Sequence, residues 1–218
     1  MELFHVLNRG VEKRQIFLDD RDRTRFVTGL DLFNDCRSID NLQRLIDSSS
    51  VRPRRSNRKP LVAIHGWCLM GNHYHILLSE IEEHGITKFL MKLNVGYAKY
   101  FNQRYKRSGT LFQGRSKKIL IQTEAHFLYI LHYVHLNPLD LRRDTASWRE
   151  GKVINIKTAL EYLDSYKWSS YLDHSGKPNF SELLTTSLFQ EKPRVYVNTL
   201  KSYLQTLSLE EIEPLLLE

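Results

Sequence analysis

The amino-acid sequence predicts an α+β fold: a ferredoxin-like split βαβ core, with helices on an antiparallel sheet of about four to five strands, and a C-terminal helical extension. Three observations carry that prediction. Apolar runs of strand length alternate with stretches of helical period, in the order β-α-loop-β-β-α-β-α up to residue 137. Two of the strand runs are joined only by Met70-Gly71-Asn72, a hairpin signal. The chain has 218 residues, of which 41% are hydrophobic, enough for one sizeable core. We divide it into a core domain over 1–145, with a basic insert at about 48–60, and an extension over 146–218.

The elements follow in order. Phe4 to Leu7 is an apolar run that meets Asn8-Arg9-Gly10, a strand ending in a turn. From Asp19 to Cys36, Phe26, Leu30 and Phe33 recur at helical spacing, and Asp19 and Asp20 place negative charge at the helix start. The pattern then stops. SSSVRPRRSNRKP, residues 48–60, holds five basic residues and no acid, and reads equally as a solvated connector or as a loop that touches phosphates. Leu61 to Leu69 and His73 to Ser79 are strand runs, and Gly85 to Tyr105 has helical period through Ile86, Phe89, Leu90, Leu93, Tyr97, Tyr100 and Phe101. Thr110 to Gln122 reads as a strand. Thr123 to Asn137 reads as a helix that opens on Thr123-Glu124 and closes at Asn137-Pro138, because proline disfavours α geometry in the residue before it. Beyond residue 145 come a helix near Ile154 to Ser165, a loop at His174 to Asn179, and short helical pieces to an acidic end.

Composition narrows the classes. The formal charge of +7 and the pI near 9.4 favour a polyanionic partner, without naming one. Cys36 and Cys68 cannot make a disulfide framework and have no metal-knuckle spacing, so they read as buried thiols of a reducing cytoplasm. The amino terminus lacks the apolar segment of a signal peptide, and no stretch reaches the roughly 18 apolar residues of a membrane span. There is no Walker-type loop, no G-x-G-x-x-G, no G-x-S-x-G and no H-x-E with P-C-x-x-C, which removes the nucleotide-binding, α/β-hydrolase and zinc-deaminase readings.

Three features carry chemistry. On a strand, His73 and His75 share one face while Tyr74, Ile76 and Leu78 point to the other. Two imidazoles that close are suited to be joint metal ligands; the plain alternative is two unrelated histidines, one surface and one core. On a helix, Tyr133 and Asn137 stand at i and i+4 on one face. A tyrosine there can be a covalent nucleophile and the asparagine an oxygen ligand; the plain alternative is an aromatic stripe, Tyr129 and Tyr133, packing the helix on the sheet. Between Met91 and Thr123 there are eight basic residues and no acidic one, interleaved with Tyr97, Tyr100, Phe101, Tyr105 and Phe112. Cations for phosphates beside rings for bases are the ingredients of single-strand recognition, and a solvated helix face over core aromatics has the same pattern.

Taken together these segments resemble the single-tyrosine HUH transposases, specifically the REP-associated tyrosine transposases, over roughly residues 4 to 171. The resemblance is carried by HVLNRG (His5 to Gly10), IFLDDRDRTRF (Ile16 to Phe26), MGNHYHILL (Met70 to Leu78), FNQRYKRSGTLFQGRSKKILIQ (Phe101 to Gln122), HYVHLNP (His132 to Pro138) and WSSY (Trp168 to Tyr171). It implies a catalytic domain over 1–145, with Tyr133 as nucleophile, His73 and His75 as metal ligands and Asn137 as the third. It also implies a divalent cofactor, Mg²⁺ or Mn²⁺, and DNA contacts from Arg9, Arg104, Lys106, Arg107, Arg115, Lys117 and Lys118. The implied activity is nicking and rejoining of single-stranded DNA beside a hairpin through a 5′-phosphotyrosine link, by a monomer or homodimer in a bacterial cytoplasm, associated with the nucleoid. The family usually has Pro where Gly71 stands, which leaves the ligands untouched. The Arg52 to Lys59 insert and the tail beyond Tyr171 match nothing in the family pattern.

Two other classes compete. One is a domesticated hairpin-binding protein that no longer cuts; the retained set His73, His75, Tyr133 and Asn137 argues against it. The other is an RNA-binding ferredoxin-like domain, against which stands the lack of a K/R-G-F/Y-G/A-F-V-x-F/Y strand.

Overall fold

A computed structural model describes residues 2–37 and 58–206. Most of the basic insert, including Arg52, Arg54 and Arg55, lies outside the described residues, as does the acidic end.

The core runs β1 (Leu3–Arg9), α1 (Asp20–Leu32), β2 (Val62–Leu69), β3 (His73–Glu80), α2 (Gly85–Arg104), β4 (Lys117–Leu120) and α3 (Glu124–Leu136). The sheet order is β2-β3-β1-β4, with every neighbouring pair antiparallel. β1 and β2 are therefore parallel to each other with β3 between them, which is the split βαβ arrangement the element order predicts.

The two faces of the sheet are covered differently. Val6, Trp67, Leu69, Tyr74, Ile76 and Leu78 pack against Phe26 and Leu30 of α1 and Phe89, Leu93 and Tyr97 of α2. Cys68 and Leu77 on the opposite face pack under Tyr129, Ile130, Tyr133 and Val134 of α3. Gly66, at the irregularity in the β2–β3 register, lets α3 come close: a Cβ there would stand 2.7 Å from Leu131 Cδ1.

The helix starts obey their caps. Asp19 accepts a hydrogen bond from Asp22 N at α1, and Thr123 accepts one from His126 N at α3. Three expectations are corrected. Cys68 is buried, but Cys36, past the end of α1, is exposed. The strand read over Thr110 to Gln122 is regular only at Lys117–Leu120: Phe112 makes an isolated bridge to Gly10, and the chain then turns at Gly114, φ 75°, between that bridge and β4. At Asn137-Pro138 the helix tightens rather than stops: Asn137 keeps helical angles, φ −50° and ψ −37°, and a 3-10 turn, Asn137–Leu141, takes Pro138 at its start.

The extension folds back on the core. It holds a 3-10 turn at Ala146–Glu150, then α4 (Ile156–Ser165), α5 (Tyr171–His174) and α6 (Pro193–Thr206). Leu69 N donates to Trp168 O, Ser170 N to Trp67 O, and Thr185 N to Ile64 O, so the outer edge of β2 is covered rather than left open to another chain. Tyr196, Leu200 and Leu204 of α6 pack on the outside of α3. Among the described residues no helix is long and apolar enough to cross a membrane.

Candidate active site beneath helix α3

The strand alternation places both imidazoles of β3 on the α3 face, at ring centroids 4.9 Å apart and nearly perpendicular. β1 runs antiparallel beside them with Leu7 opposite His75 and Arg9 opposite His73. Two residues from Leu7 on the same face is His5. Its Nε2 lies 2.9 Å from His75 Nδ1 with the rings stacked, so one proton is shared between the two imidazoles. His73 Nδ1 lies 2.6 Å from Asn72 Oδ1. An amide oxygen only accepts, so Nδ1 carries the hydrogen and Nε2 of a neutral His73 is the lone-pair nitrogen.

That is the donor chemistry of a metal-binding imidazole, whose second nitrogen is fixed by a hydrogen bond to a carbonyl or similar group. For His75 the partner is His5, a residue that sequence reasoning left without a role. Its signal was the alternation of β1, but only the β1–β3 register shows that His5 reaches His75.

Tyr133 meets this group from above. Its ring centroid is 5.9 Å from those of both His75 and His5, edge to face, and the residue is 1% exposed. The phenol oxygen accepts from Arg149 Nη1 at 3.1 Å. Arg149 Nη2 donates to Asn137 Oδ1 at 2.9 Å and to Asp140 Oδ2 at 2.5 Å. Asn137 Nδ2 is in turn fixed on Tyr133 O at 2.8 Å. The structure thus brings His73, His75 and Tyr133 into one cluster and joins Asn137 to Tyr133 through Arg149. Among the described residues no group of three or more His, Cys, Asp or Glu side chains is placed to hold a metal ion. The nitrogen donors of the two histidines suit such an ion in kind, whereas Asn137 Oδ1 is engaged by the Arg149 guanidinium.

The neighbouring histidines and Tyr129 do other work. Burial pushes Tyr129 far above the ordinary phenol range, and its ring packs on Tyr203. His135 bridges Tyr196 Oη and Ser170 Oγ, tying the extension to α3. Desolvation holds His132 down to about 3 and keeps His135 well below the ordinary value, so both are neutral.

The cations fall into two groups. Arg9 and Lys117, opposite His73 and Leu7 in the register, lie on the histidine face; Lys118 lies on the other and reaches Thr87. Lys106 and Arg115 are exposed, and Arg107 is held by Asn102 and Thr110 O. Arg104 is different: it is clamped between Asp19 and the buried Asp22 at 2.5 and 2.6 Å. A phosphate at Arg104 has to compete with two carboxylates. The interleaved rings are a correction too. Tyr97, Phe101 and Phe112 are buried, and Tyr100 and Tyr105 donate their hydroxyls to Asp22, so they build the α1–α2 interface instead of a stacking platform.

The fold and this cluster define an α+β protein with a histidine pair and a guanidinium-held tyrosine on one face of its sheet. No protein-family model matches the chain, and no curated protein matches it. A solved structure described as that of the REP-associated tyrosine transposase bound to a REP hairpin aligns over 88% of this chain and 89% of that one, with 10% identity and a TM-score of 0.45.

Proposed function

We propose that the chain is a metal-dependent single-strand DNA endonuclease and strand transferase acting on hairpin-flanked DNA through a 5′-phosphotyrosine intermediate. The observation that carries this reading is the convergence of Tyr133 with His73 and His75 under α3, with a guanidinium on the phenol oxygen.

His73 and His75 are the residues that would hold Mg²⁺ or Mn²⁺, with Asn137 Oδ1 as a third ligand. Such an ion supplies neutralisation of charge at the scissile phosphate. His5 and Asn72 hold the two imidazoles in orientation. Tyr133 attacks phosphorus through its phenol oxygen; the bond to the 3′ oxygen breaks, and the proton lost by the phenol is matched by the one taken up at the released 3′-hydroxyl. The phosphotyrosine link keeps the bond energy, so a second 3′-hydroxyl can rejoin strands. Arg9, Lys106, Arg107, Arg115, Lys117 and Lys118 supply positive charge for the DNA backbone, with Arg104 held back by its carboxylates.

One observation favours the second reading, a hairpin-binding protein that does not cut: Tyr133 is buried, and Trp148 and Arg149 close over it. Incubation with a library of single-stranded hairpins and Mn²⁺, scored for covalent adduct on a denaturing gel, separates the two. Adduct in the native protein and none in Tyr133→Phe supports cleavage. Tight hairpin binding with no adduct from any hairpin supports the alternative.

A further inference from the structure

We infer that Arg149 is the positioning residue of the tyrosine: its guanidinium fixes the direction of the Tyr133 phenol oxygen and locks it to Asn137. The inference rests on the reading of Tyr133 as nucleophile, and it concerns a residue outside the core domain, in the 3-10 turn Ala146–Glu150.

The geometry is a planar fork meeting two acceptors from one helix face. Nη1 takes the phenol oxygen at 3.1 Å and Nη2 takes Asn137 Oδ1 at 2.9 Å. Because Tyr133 and Asn137 stand four residues apart at the end of α3, one guanidinium spans them. A donor on one lone pair of the phenol oxygen restricts the direction from which that oxygen attacks. The fork is itself held. Asp140 Oδ2 accepts from Arg149 Nη2, Asp140 Oδ1 accepts from Trp148 Nε1 at 2.6 Å, and the Trp148 ring lies 4.7 Å from the Arg149 guanidinium carbon. Asp140, Trp148 and Arg149 therefore form a braced unit. A lysine in place of Arg149 keeps the charge but cannot present two coplanar donors.

The test uses the full chain. In single-turnover adduct formation on a hairpin that the native protein cuts, Arg149→Ala is expected to lose on the order of 10²-fold in rate, as for misdirected reacting groups. Arg149→Lys falls nearly as far. Hairpin affinity stays close to the native value in both. Millimolar methylguanidine restores rate to Arg149→Ala and not to Arg149→Lys, a rescue that a purely structural loss does not show. An unchanged rate, or a faster one, overturns the inference, because a guanidinium that merely plugs the site raises the rate when removed. If Arg149→Ala does not fold, Asp140→Asn leaves the guanidinium but loosens its brace. A rate drop of about tenfold is expected there, and a native rate in Asp140→Asn overturns the inference.

A second arm needs no cleavage. In the free protein labelled with carbon-13 in its tyrosine rings, the Tyr133 signal is the one lost in Tyr133→Phe. At constant pH it is expected to shift in Arg149→Ala and to return with methylguanidine. An unmoved signal overturns the positioning role even where the native protein cuts DNA. A shifted signal with no adduct from any hairpin overturns instead the reading of Tyr133 as nucleophile.

Discussion

His5 and His75 share a single hydrogen across 2.9 Å, between strands that the sequence separates by 70 residues. The contact fixes the orientation of the His75 ring, which is the role an outer partner plays around metal-ligating histidines. His5→Phe keeps a ring of similar size and removes the bond. Mn²⁺ affinity measured by titration calorimetry is expected to fall by about 10- to 100-fold in this variant. His73→Ala and His75→Ala should abolish both metal binding and cleavage while sparing most hairpin binding, and chelation should reproduce their effect. Cleavage that survives the double alanine variant together with a chelator sinks the metal assignment.

The position of Arg104 separates stability from DNA binding. Asp22 is fully buried and takes Arg104, Tyr100 Oη, Tyr105 Oη and Leu18 N, so removing the cation leaves a buried charge short of its partner. Arg104→Gln should cost about 2 kcal/mol, a discounted version of a broken buried pair because the arginine side is partly exposed. Denaturant unfolding measures this directly. Charge removal at Lys106, Arg107, Arg115 and Lys117 should instead leave stability nearly unchanged, weaken hairpin binding and flatten its salt dependence, since fewer counterions are released. A native salt slope in that fourfold variant would place the DNA path elsewhere.

Acid should loosen the extension. His132, His135 and His174 cluster around Tyr196, and all three are held below the ordinary histidine value by burial; His65, nearby, is lowered for the same reason. The unfolded chain therefore binds protons more readily than the folded one once the pH falls below about 6.5. Their contribution to stability is complete above that value and is lost on acidification, down towards the folded value of about 3 for His132. Each contributes a slope of up to about 1.4 kcal/mol per pH unit. Unfolding free energies measured between neutral pH and pH about 4 should show the decline, and His132→Phe should flatten it. A flat profile in the native protein contradicts this account.

What the sequence made legible follows from local periodicity. The period of two put His73 and His75 on one face, and the i to i+4 spacing put Asn137 beside Tyr133, because both relations hold within one element. His5 and Arg149 escaped because their roles depend on contacts between elements: His5 needs the register of β1 against β3, and Arg149 arrives on a 3-10 turn with no periodic signal. The aromatic run from Tyr97 to Phe112 misled for a related reason. Ring spacing on α2 is the same for a stacking platform and for a core, and only the buried carboxylate of Asp22, on another helix, decides where the tyrosine hydroxyls go.

The proposed assignment of Tyr133 as nucleophile turns on two hydroxyls one turn apart on α3. The hydroxyl of Tyr133 accepts from Arg149, and its ring edges onto His5 and His75. The hydroxyl of Tyr129 is buried with no hydrogen-bond partner among the described residues, and burial pushes its ionisation far above the ordinary phenol range. Phenylalanine keeps the ring and most of its packing in both places, so the two substitutions test the hydroxyls alone. Tyr133→Phe should bind the hairpin normally and form no adduct; it leaves an Arg149 donor short of its acceptor, at a cost of about 1 kcal/mol. Tyr129→Phe should form adduct at the native rate and unfold at equal or higher denaturant, because it removes a buried polar group that nothing satisfies. Peptide mapping of the trapped adduct gives the direct answer: the DNA should be found on Tyr133, and its recovery on Tyr129 or any other tyrosine would refute the assignment.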